Sequence, residues 1–199
     1  MFKNINKKIL FCLVFLQIFI ITASNFLVSI PLEIYAFKLT WSAFSFPLVV
    51  LAIDLTIRVL GKSIARATIT LSYPLAIISS ILVLLIEGST ESVAFRIGFA
   101  SATAYGVSTL LDVYLFQIIR ERYNAWWIAP SISTIFANII DTYVFFFSAF
   151  SNSSDQYMAD NWLEISATQS LIKIIIGLLL FLPFYGVLLN FILKKFKKY

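Results

Sequence analysis

The 199-residue chain has no histidine and a single cysteine, Cys12. Histidine is the commonest side-chain base and metal ligand, so its absence argues against zinc proteases, histidine-based hydrolases and haem proteins. A lone cysteine in an apolar run forms no internal disulfide and is expected to pack as a small hydrophobic residue. We therefore predict no metal and no cofactor.

Charged residues are also scarce, at 13% of the chain, whereas 60% of the residues are hydrophobic. The mean hydropathy is +0.93. Soluble domains carry about 25% charged residues, so this composition excludes an ordinary soluble domain. We predict an integral membrane protein that contacts lipid. The net charge of +5 is not taken as a sign of nucleic-acid binding, because its distribution matters more than its sum.

Apolar runs of about 17–25 residues are long enough to cross a bilayer as helices. The sequence contains six such runs and no clear repeat or linker. It therefore predicts an all-α, polytopic bundle of six transmembrane helices in a single integral membrane domain, residues 1–199. The predicted spans are 9–30, 42–60, 67–86, 94–119, 126–150 and 165–193.

The positions of lysine and arginine indicate the orientation, because cytoplasmic loops of membrane proteins are rich in both. With six spans, every basic residue except Lys38, Arg96 and Lys173 falls on one side, which predicts a multi-pass protein of the inner (plasma) membrane with both termini cytoplasmic. A cleaved signal peptide ending near Ser24 is the alternative for the first span. The apolar run continues to Ile30, which favours an uncleaved span.

Five ionisable side chains lie inside the predicted spans, where a charge costs about 2.5–3.5 kcal/mol on insertion scales and usually marks a functional site. Their depths, at about 1.5 Å per helical residue, divide the intramembrane polar residues into two groups. The inner group is Asp54, Arg58 and Asp112. The outer group is Arg96, Asn138, Asp141, Gln169 and Lys173.

Each group has a structural and a functional interpretation. In the inner group, Asp54 and Arg58 are four residues apart and can pair on one helix face, and Asp112 can join Arg58 or Arg66; coupling is the alternative. In the outer group, an Asp141–Lys173 ion pair can pin two helices together. The added amides and cations favour a recognition site for a planar polar ligand instead.

A series of short motifs runs in order along most of the chain, from about Asn25 to Leu193. The segments are Phe46-Pro47, Ala52–Arg58, Gly61, Ala65-Arg66, Arg96, Ala100-Ser101, Leu111–Tyr114, Phe116, Ala129–Ser131, Ser133-Thr134, Asn138, Asp141-Thr142, Phe145–Phe147, Lys173 and Pro183. Together they resemble the YhhQ-type family of queuosine precursor transporters. Arg58 departs from the glutamate that many members carry at that position, so any role of that glutamate does not carry over. A basic residue at this position resembles the pattern of the proteobacterial subgroup.

The resemblance implies a six-span bundle similar to the substrate-binding subunits of vitamin uptake transporters. It also implies import of 7-cyano-7-deazaguanine, a small deazapurine, for salvage into tRNA modification. A carboxylate can accept the ring N–H and the exocyclic amine of such a base together, and Asp141 is our candidate for that role. The other expected binding residues are Asn138, Gln169, Lys173, Arg96 and Phe46, with Trp41 and Tyr105 as further stacking candidates.

Two other functions remain open at this point. One is uptake of a different heterocyclic vitamin or nucleobase. The other is an intramembrane lipid-modifying enzyme, for which Ser170 and Lys173 are the available nucleophile and base. The chain lacks a phosphate-binding loop, so it does not hydrolyse ATP itself. Proton coupling through Asp54 or Asp112, a separate energising module and homo-oligomerisation all stay open.

Overall fold

A computed structural model describes residues 7–28, 31–34 and 37–196 of the chain. It confirms the predicted all-α membrane bundle and adds a small β-hairpin. Ile30, Lys3, Lys197 and Lys198, which the sequence analysis assigns to the first span and the cytoplasmic side, lie outside the described residues. The helices are α1 (Lys7–Val28), α2 (Phe46–Leu60), α3 (Lys62–Ile86), α4 (Glu91–Arg122), α5 (Ile128–Phe150), α6 (Gln156–Ile176) and α7 (Leu182–Phe196).

The second helix is shorter than the predicted span 42–60. A 3₁₀ turn covers Trp41–Phe44, and α2 begins only at Phe46 with Pro47 in its first turn. Proline suits this position because the first helical N–H groups have no intrahelical partner, so Pro47 starts the helix and does not break it. At 15 residues, α2 is about 22 Å long against a hydrocarbon core of about 30 Å.

Five helical segments are long and apolar enough to cross a membrane, and α2 is not among them. The first four are α1, α3, α4 and α5. The fifth is the continuous stretch Gln156–Ile192, which joins α6 to α7 through a π-helical segment at Gly177–Phe181. The predicted start of the last span at residue 165 is therefore wrong, because the helix already starts at Gln156. The helix begins at Gln156 because the carboxylate of Asp155 accepts a hydrogen bond from the Met158 amide at 3.1 Å and caps the first turn.

Helices α3, α4, α5 and α6 pack in chain order, and α1 packs against α3. The short α2 contacts all the other helices and is the centre of the bundle. Small residues of α4, among them Gly98 and Gly106, allow close packing between α3 and α4. A Cβ added at Gly98 would lie 2.5 Å from Ile81, and one at Gly106 would lie 2.8 Å from Tyr73.

The ends of the bundle differ in charge, which we use to name them. The basic end carries Lys62, Arg120, Arg122 and Lys194, and the acidic end carries Glu87, Glu91, Asp155 and Asp160. The hairpin, formed by β1 (Pro31–Ile34) and β2 (Phe37–Thr40), connects α1 to the 3₁₀ turn, and Glu33 pairs in register with Lys38. Large apolar side chains cover the outside of the bundle, as expected for a surface that faces lipid.

Candidate functional site

A buried ion pair joins α5 to α6. The ammonium of Lys173 donates to Asp141 Oδ2 at 3.1 Å and to the Thr142 hydroxyl at 3.2 Å. Lys173 and Asp141 are only 8% and 7% exposed. We call Asp141, Thr142 and Lys173 the paired cluster. Its charges cancel, which is the condition under which ionised side chains persist inside a membrane bundle.

The local sequence explains why these side chains point inward. On α5, small and polar residues recur every three or four positions and form one buried stripe, which places Asn138, Asp141 and Thr142 on the same helix face. On α6, Ser166, Gln169 and Lys173 form the matching buried stripe. Because lipid penalises polar side chains, the two stripes face each other across the α5–α6 contact.

Asn138 lies one turn from the paired cluster and is fully buried. Its Nδ2 donates to the Thr134 carbonyl at 2.8 Å, which sets the orientation of the amide. Its Oδ1 is buried and has no hydrogen-bond partner among the described residues. An acceptor of this kind costs about 1–3 kcal/mol when it is left unsatisfied, so Asn138 is suited to receive an N–H donor from a ligand.

A second polar group lies nearer the basic end, where α2, α4 and α5 meet. Asp54 and Asp112 are 1% and 0% exposed and close enough to interact with each other. The Ser133 hydroxyl lies 3.4 Å from both carboxylate oxygens of Asp54. We call Asp54, Asp112 and Ser133 the carboxyl cluster.

The expected pairing of this group with arginine is wrong for the described residues. The ion pair they contain is Lys173–Asp141, and neither Arg58 nor Arg66 forms one with Asp54 or Asp112. Arg58 instead approaches the Tyr185 ring from the basic end, together with Arg120. The Arg120 guanidinium also reaches the Arg58 carbonyl at 3.5 Å.

A small cavity of about 10 Å³, with room for roughly one water molecule, lies between α2, α5, the π-helical segment and α7. Asp54 of the carboxyl cluster lines it, and so do Thr134 and Gly177. A Cβ added at Gly177 would lie 2.8 Å from Thr134 and 3.8 Å from Asn138 Nδ2, so the glycine lets α6 approach the polar face of α5. The cavity thus lies beside Asp54 of the carboxyl cluster and Thr134, one turn before Asn138 on α5.

The remaining predicted site residues are placed differently. Arg96 does not join the paired cluster, because its exposed guanidinium donates to the carbonyls of Ser151 and Asn152 at the end of α5. Gln169 is buried one turn from Lys173 on the same helix. Phe46 begins α2, and its side chain is outside the described part of the structure.

The two proposed stacking partners also lie apart from the paired cluster. Tyr105 is buried at the α3–α4 contact, where its hydroxyl lies 2.8 Å from that of Ser72. Trp41 is partly exposed and packs against Phe44 in the 3₁₀ turn. In the described structure, neither ring lies against Asp141 or Lys173.

Comparison with known proteins identifies the family. The family model described as "Putative vitamin uptake transporter" matches residues 40–188, well over half of the chain. The chain belongs to this family. It is 41% identical over 199 residues to the "Queuosine precursor transporter" of Escherichia coli (strain K12), covering 94% of this chain and 90% of the relative.

A second relative supports the same assignment. The chain is 39% identical over 213 residues to the "Probable queuosine precursor transporter" of Haemophilus influenzae (strain ATCC 51907 / DSM 11121 / KW20 / Rd), covering 96% of this chain and 90% of that protein. No solved structure matches the fold. The chain is therefore a multi-pass membrane transporter and not an enzyme.

The geometry of Ser170 agrees with a transporter. The Ser170 hydroxyl donates to the Ala167 carbonyl of its own helix at 3.0 Å. The Lys173 ammonium is held by Asp141 and Thr142. A serine–lysine catalytic pair needs the two side chains within hydrogen-bond reach of each other, and these two are directed to other partners.

Three residues of the transporter's polar interior were missed as site candidates. Thr142 and Ser133 belong to the two clusters, and Tyr185 lines the cavity. Thr142 follows Asn138 by four residues and Ser133 precedes Asp141 by eight, so helical spacing alone was a usable signal for both. Tyr185 lies in the most apolar part of the last helix, where no local pattern marks it.

Proposed function

We propose that this transporter imports 7-cyano-7-deazaguanine across the inner membrane for salvage into tRNA modification. The similarity of about 40% to two queuosine precursor transporters over nearly the whole chain supports a substrate of this class. The observation that carries the proposal is the pair of buried acceptors on α5, Asn138 Oδ1 and the Asp141 carboxylate.

These acceptors match the hydrogen-bonding edge of a deazaguanine. That edge presents a ring N–H beside an exocyclic amine, which is a pair of adjacent donors. In this proposal Asp141 accepts from one or both donors, and Asn138 Oδ1 accepts the remaining amine N–H. Lys173 then donates to the ring carbonyl while it keeps the carboxylate ionised. Gln169, one turn nearer the acidic end, completes the rim of the site.

Substrate binding at this site requires the paired cluster to rearrange. Asp141 Oδ2 is occupied by Lys173 in the described conformation. Binding therefore requires the α5–α6 contact to open enough to admit a planar ring between the two stripes. The π-helical segment at Gly177–Phe181 is a suitable hinge, since such segments interrupt regular helix packing and recur at functional sites.

A thermal-shift panel on the purified full chain tests the substrate. A specific ligand raises the unfolding midpoint by mass action, and we expect 7-cyano-7-deazaguanine to do so while adenine, riboflavin and biotin do not. Asn138→Ala is expected to abolish the shift and lower cellular uptake of the radiolabelled base. Asn161→Ala is the matched control, because Asn161 also bonds to a carbonyl four residues earlier but is outside the site. A shift with another heterocycle alone would contradict the substrate assignment.

We further propose that the basic end, and with it both termini, faces the cytoplasm, and that residues 1–199 form one integral membrane domain. The charge difference between the two ends supports this orientation through the positive-inside tendency. An alkaline phosphatase fused after Tyr199 is then expected to be inactive and a green fluorescent protein fusion bright. The opposite pair of results would reverse the orientation.

A further inference from the structure

The carboxyl cluster brings two acids together in the interior of the bundle. Asp54 comes from the central α2 and Asp112 from α4, and both are essentially inaccessible to solvent. Asp54 interacts with Asp112 and with Ser133 of α5. Ser133 contacts both oxygens of Asp54 at 3.4 Å, so three helices converge on this point.

No described cation balances these acids. The ion pair that the described residues contain lies elsewhere, between Lys173 and Asp141. Both oxygens of Asp112 are buried and accept no hydrogen bond from any described residue. Two ionised carboxylates here would place two uncompensated negative charges inside the membrane, which is strongly unfavourable. One shared proton removes one charge and gives the two carboxyls a donor and an acceptor.

The charged groups on the surrounding helices lie away from the two acids. Arg58 of α2 and Arg120 of α4 approach Tyr185 of α7 from the basic end. Tyr185 is the titratable group of α7 that interacts with Asp54. Other charged groups on neighbouring helices include the half-buried Arg66 of α3, the exposed Lys7 and Lys8 of α1, and Lys173 of α6, which is paired with Asp141. Further charged residues lie toward the ends of their helices: Lys62, Glu91, Arg96, Glu121, Arg122, Asp160, Glu164 and Lys194.

The small cavity lies against this cluster, on the face of α5 that also carries the proposed substrate site. Asp54 lines it beside Thr134, and Asn138 follows Thr134 by one turn of α5. Ser133 and Asp141, which mark the two clusters, are eight residues apart on α5, about 12 Å along the helix. A ligand bound at Asn138 and Asp141 therefore lies within one or two helical turns of the two acids.

We propose that Asp54 and Asp112 together bind the proton whose inward movement drives import, an inference that rests on the transport function above. A proton enters from the cavity, is held by one carboxylate oxygen and shared with the other acid, and leaves toward the basic end. One proton is bound and one is released, with no other bond changed. Release leaves two bare carboxylates, so it requires water to enter from the basic end, and this ties deprotonation to the inward-open state.

Net uptake and exchange in proteoliposomes separate coupling from binding. The full chain is reconstituted, and accumulation of radiolabelled 7-cyano-7-deazaguanine is measured under an imposed pH gradient. Exchange of labelled for unlabelled base is measured without a gradient. For Asp54→Asn and Asp112→Asn we expect exchange to persist and gradient-driven accumulation to be lost. Asp160→Asn, at an exposed aspartate that contacts only Gln156 in the described structure, is the control and retains both activities.

Several results would overturn the proposal. Wild-type accumulation that follows a sodium gradient, or that needs an ATP-hydrolysing partner and ignores the pH gradient, rules out proton coupling by this chain. Asparagine variants that accumulate the base normally also rule it out. If the variants lose exchange together with accumulation, the two acids serve binding or folding instead.

Infrared difference spectroscopy tests the proton site without using the substrate. A protonated-carboxyl band is expected in the wild-type protein and in Asp160→Asn, and it is expected to be lost or shifted in both cluster variants. Absence of that change contradicts the shared proton. A wild-type protein with the band but with no exchange of the base refutes the substrate assignment and leaves the proton site supported.

Discussion

In the paired cluster an aspartate meets the ammonium of Lys173, whereas in the carboxyl cluster an aspartate meets a second aspartate and no described cation. Both clusters are buried, and both involve α5. The first is neutral as built and can hold fixed charges ready for a polar ligand. The second carries one negative charge when it holds a proton and two when it does not. We therefore propose recognition in the middle of α5, at Asn138 and Asp141, and coupling near its start, beside Ser133.

The largest expected effect comes from removing one charge of the paired cluster. Asp141→Asn leaves the Lys173 ammonium buried without its carboxylate, and breaking a buried pair in this way costs about 3–5 kcal/mol. We expect a clear fall in the thermal unfolding midpoint and loss of substrate binding. Binding is followed by the ligand-induced thermal shift.

The double variant Asp141→Asn/Lys173→Met separates stability from recognition. Removing both charges is expected to restore most of the unfolding midpoint, because no uncompensated charge remains. Binding should stay absent, since the acceptor for the substrate is gone. A double variant that binds normally would mean that the paired cluster is only a clamp between α5 and α6.

A smaller effect is expected at the glycine between the two clusters. Gly177→Ala introduces a Cβ 2.8 Å from Thr134, which forces α6 away from the polar face of α5. Overpacking of this kind typically costs about 1–3 kcal/mol. We expect a reduced rate of substrate exchange as well as reduced stability.

Gly106→Ala is the matched control for this substitution. Its Cβ would also approach a side chain at 2.8 Å, but that side chain is Tyr73 at the α3–α4 contact. We expect a similar loss of stability with exchange retained per folded molecule. Equal losses of exchange in the two variants would show that the α5–α6 contact has no special role in transport.

The smallest effect is expected at Arg96, which the sequence analysis placed in the substrate site. Its exposed guanidinium bonds to loop carbonyls after α5, so Arg96→Gln removes only a surface contact. We expect unchanged binding and a stability change below about 1 kcal/mol. A large loss of substrate affinity, measured by titration of the thermal shift, would show that Arg96 contributes to the substrate site.

Helix spacing allowed an Asp141–Lys173 ion pair only as the alternative to ligand recognition, and the structure contains that pair. It failed for Arg96, since depth in the membrane says nothing about the direction in which a side chain near a helix end will turn. It also failed for the partner of Asp54. Arg58 is near in sequence, but Asp112 is nearer in space, because α2 packs centrally against α4.

The amino-acid sequence by itself determined that this chain is a membrane protein, which segments are apolar and which residues must avoid lipid, because these follow from local composition and helical period. The length of α2, the start of α6 and the partners of the buried charges were decided by tertiary structure. Which acid meets a lysine and which meets another acid depends on how helices distant in sequence pack, and no local pattern contains that information.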